Sequence, residues 1–237
     1  MANFKIRLTP HNLSRLVWDQ WISNIEPELD AAKTTLKSMS DACESIRGRM
    51  DYNTGSISFA SSLLLYIATR NLQPKVVFEV GTFIGKSILS IALATDRNDN
   101  NAEIFTCDGS NDFAVPTLSK TRINGFPKTT STDALLQLAA AGKKLDFVHL
   151  DGRLAAEDLG LLQRICDPRA VLAIDDFEGM EKGVANLSVL RSGQAPFFSQ
   201  HILVYPAMDE VLQRLGVLSR TTTAFFLPFA ALTYTNQ

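Results

Sequence analysis

The chain is short of cysteine, of a surplus of either charge and of long apolar runs, and each shortage excludes something. Its 3 cysteines among 237 residues, Cys43, Cys107 and Cys166, are odd in number and far apart. They suit neither a disulfide framework nor a metal-ligand spacing, which points to a reducing compartment. Lys and Arg total 23 against 25 for Asp and Glu, a formal charge of −2, so no basic field would draw in DNA, RNA or an anionic surface. The longest apolar stretches, 62–68 and 223–232, fall short of the roughly 20 residues of a spanning helix. The opening residues interleave charged and apolar side chains and offer no secretion leader. The expectation is a cytoplasmic protein with no membrane or nucleic-acid partner.

A hydrophobic fraction of 46% with 20% charged residues is that of a folded chain rather than a disordered one. From His11 to about Leu72, apolar residues such as Leu16, Val17, Trp21, Ile22 and Ile25 recur at helical offsets, interrupted near Asp51–Gly55. This predicts a helical extension or cap over 1–72. Short apolar runs then alternate with helical patterns over 73–237. Strands are expected at 75–80, 102–107, 144–150 and 170–174, with two late strands near 201–205 and 223–234. The alternation predicts an α/β fold, a doubly wound and mostly parallel sheet closed by a terminal antiparallel hairpin.

In such sheets ligands gather at the carboxyl ends of strands, so the polar residues there are the ones to read. The first end runs Phe78-Glu-Val-Gly-Thr-Phe-Ile-Gly-Lys-Ser87. Gly81 and Gly85 permit a sharp turn close to a ligand, or serve tight helix packing. Glu79 ends an apolar strand, where burial is costly unless something donates to it; a cationic amine or a buried Arg would do so. The turn is neither the three-glycine dinucleotide fingerprint nor a phosphate loop, because Gly81 and Lys86 stand one residue too close. Asp108 ends the second strand, as a ribose clamp or a turn residue.

This stretch resembles the first motif of class I S-adenosylmethionine-dependent methyltransferases, in the version of small-molecule O-methyltransferases, and the likeness extends from Pro74 onward. The resemblance implies a seven-stranded Rossmann-like sheet. It implies that Gly81, Thr82, Gly85 and Ser87 line the cofactor, that Glu79 faces its methionine part, and that Asp108 holds its ribose hydroxyls. Ser131, in Thr129-Thr-Ser-Thr, would lie near the adenine, with Ser131 or Thr132 able to cap the next helix. Phe113, Val115 and Pro116 could border the adenine.

Asp151 ends one later strand and Asp175-Asp176 the next. Three carboxylates at one rim suit a hard divalent cation such as Mg²⁺, unless Asp175 or Asp176 simply caps the following helix. The pattern resembles the metal-dependent O-methyltransferases, catechol-type and sugar-modifying. That implies Asp151, Asp175 and Asp176 as metal ligands, with Asp151 also beside the cofactor. This chain departs from both at the catalytic base: the two positions where they place it hold Arg153 and Leu154. His149, two residues before Asp151 on the same side of a strand, is a candidate base or a core histidine. Arg153 would bind an acidic group on the acceptor or form a surface ion pair. Trp18, Trp21 and Tyr52 would cover the rim, supply acceptor contacts or form a homodimer surface, or else lie in the core.

The resulting expectation is methyl transfer to a hydroxyl of a small molecule, with a possible divalent cation. Its rivals are a non-catalytic protein that keeps the cofactor fold, a nicotinamide-dependent oxidoreductase, and a methyltransferase acting on protein or RNA. Such transfer needs no covalent enzyme intermediate, so the want of a Ser-His-Asp or Cys-His arrangement is in keeping with it.

Overall fold

The computed structural model describes residues 10–48, 55–110, 113–192, 201–205, 209–217 and 221–228. Its strands are β1 Val76–Val80, β2 Glu103–Asp108, β3 Ile123–Pro127, β4 Leu145–Leu150, β5 Cys166–Ile174, β6 His201–Val204 and β7 Ala224–Pro228. The helices are α1 Pro10–Ile25, α2 Leu29–Arg47, α3 Phe59–Leu72, α4 Lys86–Asn98, α5 Ser131–Ala140, α6 Asp158–Ile165, α7 Ala185–Arg191 and α8 Asp209–Arg214, with a π-helical turn at Met180–Val184. The strands form one 7-stranded sheet in the order β3-β2-β1-β4-β5-β7-β6. Strands β1 to β5 pair in parallel, and β7 runs antiparallel to both β5 and β6. This is the doubly wound α/β sheet expected.

Two strands differ from expectation. β3 was not foreseen: Ile-Asn-Gly-Phe-Pro contains a glycine and a proline, both weak strand formers, and pairs on one side only. A Cβ on Gly125 would stand 2.3 Å from Cζ of Phe113, so the ring lies directly over this glycine. The late strands do pair antiparallel, but the chain passes through α8 between them and β7 enters the sheet between β5 and β6. The edge is therefore β6 rather than the last strand. Tyr52 and the expected strand beyond Pro228 lie outside the described residues.

Strand alternation divides the core. Val77, Ile104, Phe147 and Val171 face the layer of α1 to α4, whereas Phe78, Phe105, Val148 and Leu172 face that of α5 to α7. The N-terminal helices thus share one core with the sheet. Trp18 is fully buried, 5.1 Å from the Trp21 ring and 5.4 Å from Phe225 of β7. Both tryptophans are core residues, not part of a rim. A buried aromatic or aliphatic side chain contributes roughly 1.5–3 kcal/mol, which accounts for the firm seating of α1. The thiols of Cys43, Cys107 and Cys166 are free and buried, and burial pushes each well above its usual pKa.

Candidate active site

On the α1–α4 side of the sheet, the inward-facing residues change character toward the carboxyl ends. Val77 pairs with Ile104 and Phe147, an apolar row. One step along, Glu79 pairs with Thr106 and His149. A further step brings Gly81, Asp108, Asp151 and Asp175 to the rim. The period of two along each strand, applied across neighbouring strands in register, sorts apolar floor, polar support and polar rim.

The middle row is bonded largely within itself, with His149 Nε2 buried and without a partner among the described residues. The Glu79 carboxylate is fully buried; Thr106 Oγ1 donates to its Oε2 at 2.7 Å, and His149 Nδ1 lies 3.0 Å from its Oε1. Thr82 in turn bonds Thr106. Burial works against a charged imidazole, but the hydrogen bond and charge of Glu79 outweigh it and raise the His149 pKa. Two expectations are corrected here. Glu79 faces no ligand amine, since its oxygens are engaged below the rim, and His149 is no base for an acceptor, because it is wholly enclosed. Strand alternation does put His149 on the side of Asp151, but one pleat deeper.

Above this row lies a cleft of about 500 Å³, lined on one side by Gly81, Phe83, Asp108 and Gly109 and on the others by Thr129 to Ser131, Asp151 to Ala155 and Lys182. Gly81 adopts φ +96°, and a Cβ there would stand 2.6 Å from the Gly152 nitrogen. It is glycine because the end of β4 crosses it. Gly85, at φ +81°, opens α4, and a Cβ there would stand 3.0 Å from Val115. Asp108 Oδ2 accepts the Phe83 N–H at 2.8 Å and its Oδ1 accepts from Ser110, which fixes a half-buried carboxylate at the mouth. Thr82 and Ser87 are buried beside a crevice of about 10 Å³, too small for more than a water, so they support the turn from behind. Lys86 points away, to Glu44 Oε1 at 3.0 Å. Val115 and Pro116 line a separate hollow of about 370 Å³ with Phe113, not this cleft.

Ser131 does line the cleft. It is not the helix cap: Thr130 caps α5 through the Asp133 N–H, and Thr132 does not either. Instead Ser131 and Thr132 donate to the two oxygens of Asp158, which is fully buried and also accepts the Ala155 N–H at 2.8 Å. Asn186, equally buried, accepts the Leu154 N–H and donates to the Gly152 carbonyl, both at 2.8 Å. Asp158 and Asn186 shape this wall and were missed in the sequence, where each looks like any polar residue of an amphipathic helix.

The acidic rim does not form a cation site. Lys182 Nζ lies 2.8 Å from Asp151 Oδ1 and 4.0 Å from Asp176 Oδ2. Asp175 is buried and its Oδ1 accepts the hydroxyls of Thr222 at 3.2 Å and Thr223 at 2.5 Å. Asp176 is half exposed, in a left-handed turn at φ 49°. Among the described residues no group of three Asp, Glu, His or Cys side chains converges as metal ligands. The expected set Asp151, Asp175 and Asp176 thus does not fit a divalent cation: a lysine takes the charge of one and threonines the lone pairs of another. Neither Asp175 nor Asp176 caps a helix, since Gly179 precedes the π-helical turn. Burial, with the charge of Asp175 added, pushes the Asp151 carboxyl up to about 7 against the pull of Lys182. Arg153 pairs with Glu181 at 3.3 Å, the two side chains 66% and 85% exposed, a surface ion pair at the mouth.

For a sulfonium nucleoside the residues do fit. The volume lies in the range of small-molecule sites, an anchored carboxylate stands at the end of β2, and apolar walls from Val80, Phe83 and Leu154 flank it. Residues 78–177 match a family model described as a methyltransferase domain. No curated protein matches the chain by sequence. Among solved structures, an O-methyltransferase from Bacillus cereus in complex with S-adenosylhomocysteine aligns with 82% of this chain and 90% of its own at 12% identity and a TM-score of 0.52. The O-methyltransferase TomG from Streptomyces achromogenes, involved in tomaymycin synthesis and bound to S-adenosylmethionine, aligns over 82% and 89% at 15% identity and 0.52. An S-adenosylhomocysteine-bound methyltransferase from Podospora anserina aligns over 80% and 87% at 13% identity and 0.54. At such identities the likeness is one of fold.

Proposed function

We propose that this chain, which carries a methyltransferase domain over 78–177, is an S-adenosylmethionine-dependent enzyme that methylates a hydroxyl of a small molecule. The cleft between Asp108 and Asp151 carries the proposal, because all of its lining except Gly55 and Lys182 lies inside the matched region and its residues suit the cofactor. S-adenosylmethionine supplies an electrophilic methyl: the acceptor oxygen bonds to that carbon, the carbon–sulfur electron pair stays on sulfur, and the hydroxyl proton leaves to water. In this reading Asp108 accepts from the ribose hydroxyls, Gly81 and Ser131 border the cofactor, and Asp151 lies beside it. Glu79 and Thr82 act from beneath, holding the ends of β1 and β2 in place through Thr106, and Ser87 is buried behind the turn. The chain aligns two reactants, which is the main source of rate when no covalent intermediate forms.

The structural neighbours named above include O-methyltransferases, which favours oxygen as the accepting atom. No helix among the described residues is long and apolar enough to cross a membrane, and the near-neutral charge favours a small acceptor over RNA. A homodimer through the N-terminal helices finds little support: their apolar faces are spent on the protein's own core, and Leu16 is their one exposed large hydrophobic residue among those described. The enclosure of His149 favours one second reading, a non-catalytic binding protein of the same fold. Titration calorimetry with S-adenosylhomocysteine tests the cofactor, with micromolar binding expected and no heat overturning it. Detection of methylated product from a panel of phenols and sugars separates the enzyme from the binding protein.

A further inference from the structure

The mismatch between three carboxylates and a divalent cation has a local origin, and we propose that the ammonium of Lys182 takes the cation's place, holding the acceptor oxygen and the negative charge that grows on it during transfer. This rests on the methyltransferase reading above. Lys182 lines the cleft together with Asp151. It projects from the π-helical turn Met180–Val184, a rare conformation that occurs frequently at functional sites. The segment leading to that turn is tightly built. Asp176 takes φ 49° and its carbonyl accepts the Gly179 N–H at 2.6 Å. A Cβ on Gly183 would stand 2.3 Å from the Asp176 oxygen and 2.4 Å from that of Phe177. Glycine there lets the turn fold back on the end of β5 and carries Lys182 to the acids.

An ammonium has three donors. One is spent on Asp151 Oδ1; Asp176 Oδ2, at 4.0 Å, is within reach of its charge but not of a hydrogen bond. Donors remain for an oxygen in the cleft. As the acceptor oxygen bonds to the methyl carbon, with the carbon–sulfur pair staying on sulfur and the proton passing to water, Lys182 keeps its own charge and stabilises the developing one. The other two candidates are placed wrongly for this, since His149 is enclosed and Arg153 is drawn outward to Glu181.

The substitution bears on the acceptor. A hard divalent cation takes six or more oxygens and can chelate two neighbouring ones, whereas an ammonium is a point charge that grips one at a time. The acceptor therefore needs a single hydroxyl, and a second oxygen beside it brings no advantage.

The test uses the full chain, with S-adenosylhomocysteine calorimetry first; absence of binding would overturn the methyltransferase reading itself. Given binding, the wild type is expected to show no uptake of Mn²⁺ in a calorimetric titration at millimolar metal, with or without S-adenosylhomocysteine, and turnover indifferent to EDTA. Lys182→Met should lower kcat by about 100-fold or more, the scale of losing one preorganised charge-stabilising donor, with S-adenosylhomocysteine affinity kept within about three-fold. Lys182→Arg should retain more of the rate. Mn²⁺ uptake by the wild type, turnover abolished by EDTA, or unchanged kcat in a folded Lys182→Met would each overturn the proposal while leaving the cofactor reading standing. If Lys182→Met does not fold, the Mn²⁺ and EDTA measurements on the wild type decide.

Discussion

On the β1–β2 side of the cleft the backbone does much of the holding. Gly81 and Gly85 turn at positive φ, Phe83 gives its N–H to Asp108, and every residue involved lies within one strand–turn–helix or at the end of the next strand. On the β4–β5 side the wall is held by side chains from distant segments: Lys182 on Asp151, Asn186 on the loop after β4, and Thr222 and Thr223 on Asp175. The first arrangement presents a fixed surface that varies little with side-chain chemistry. The second sets charge and shape through a few replaceable residues, which is what acceptor selection requires.

The largest expected effect breaks the support common to both sides. His149→Leu leaves the Glu79 carboxylate buried with only Thr106 donating to it, and breaking a buried pair costs about 3–5 kcal/mol; urea unfolding measures it. The same pair carries a pH signature. His149 is raised in the folded state by Glu79, so its stabilisation is complete below the unfolded value near 6.5 and fades as pH climbs through the higher folded one. The urea midpoint of the wild type should therefore fall on the alkaline side, and that fall should vanish in the variant.

Gly81→Ala comes next, on the backbone-built side. It combines φ +96° with a Cβ at 2.6 Å from the Gly152 nitrogen, and strained backbone alone costs about 1–3 kcal/mol. Unfolding should register at least that, and calorimetry should find S-adenosylhomocysteine binding lost. Asp108→Ala should spare the fold more and weaken that binding by about 10–100-fold, the scale of hydrogen bonds to a charged group. A change below about three-fold would remove Asp108 from the ribose. Smallest is Arg153→Ala on the other side: an exposed pair with Glu181 contributes under about 1 kcal/mol, so both unfolding and turnover should hardly move. A large fall in turnover alone would restore Arg153 as an acceptor contact.

Much of the fold could be read from residue order, because parallel strands buried on both faces are continuous apolar runs and the helices between them are amphipathic. β3 could not, since one-sided pairing relaxes the demand for strand-forming residues and Asn124, Gly125 and Pro127 suit a turn equally well. At the site, Asp108 and Gly81 were legible from position at strand ends. Glu79 and His149 were recognised as unusual, but the choice between a ligand contact and a buried partner stayed open for each, because strand alternation says which side a residue faces and not how deep it lies. Lys182, Asp158 and Asn186 were invisible: each reaches its partner by tertiary packing, 26 to 34 residues away along the chain.

By itself the amino-acid order determined the alternation of strands and helices, the glycine turn after β1 and the acids at successive strand ends, because periodicity and steric permission are local properties. Only the tertiary structure decided which acids are spent on neighbours and which face the cleft, and that a lysine rather than shared vacant lone pairs stands among them. Charge pairing depends on distances of a few ångströms between groups far apart in the chain, and such distances exist only once the layers have packed.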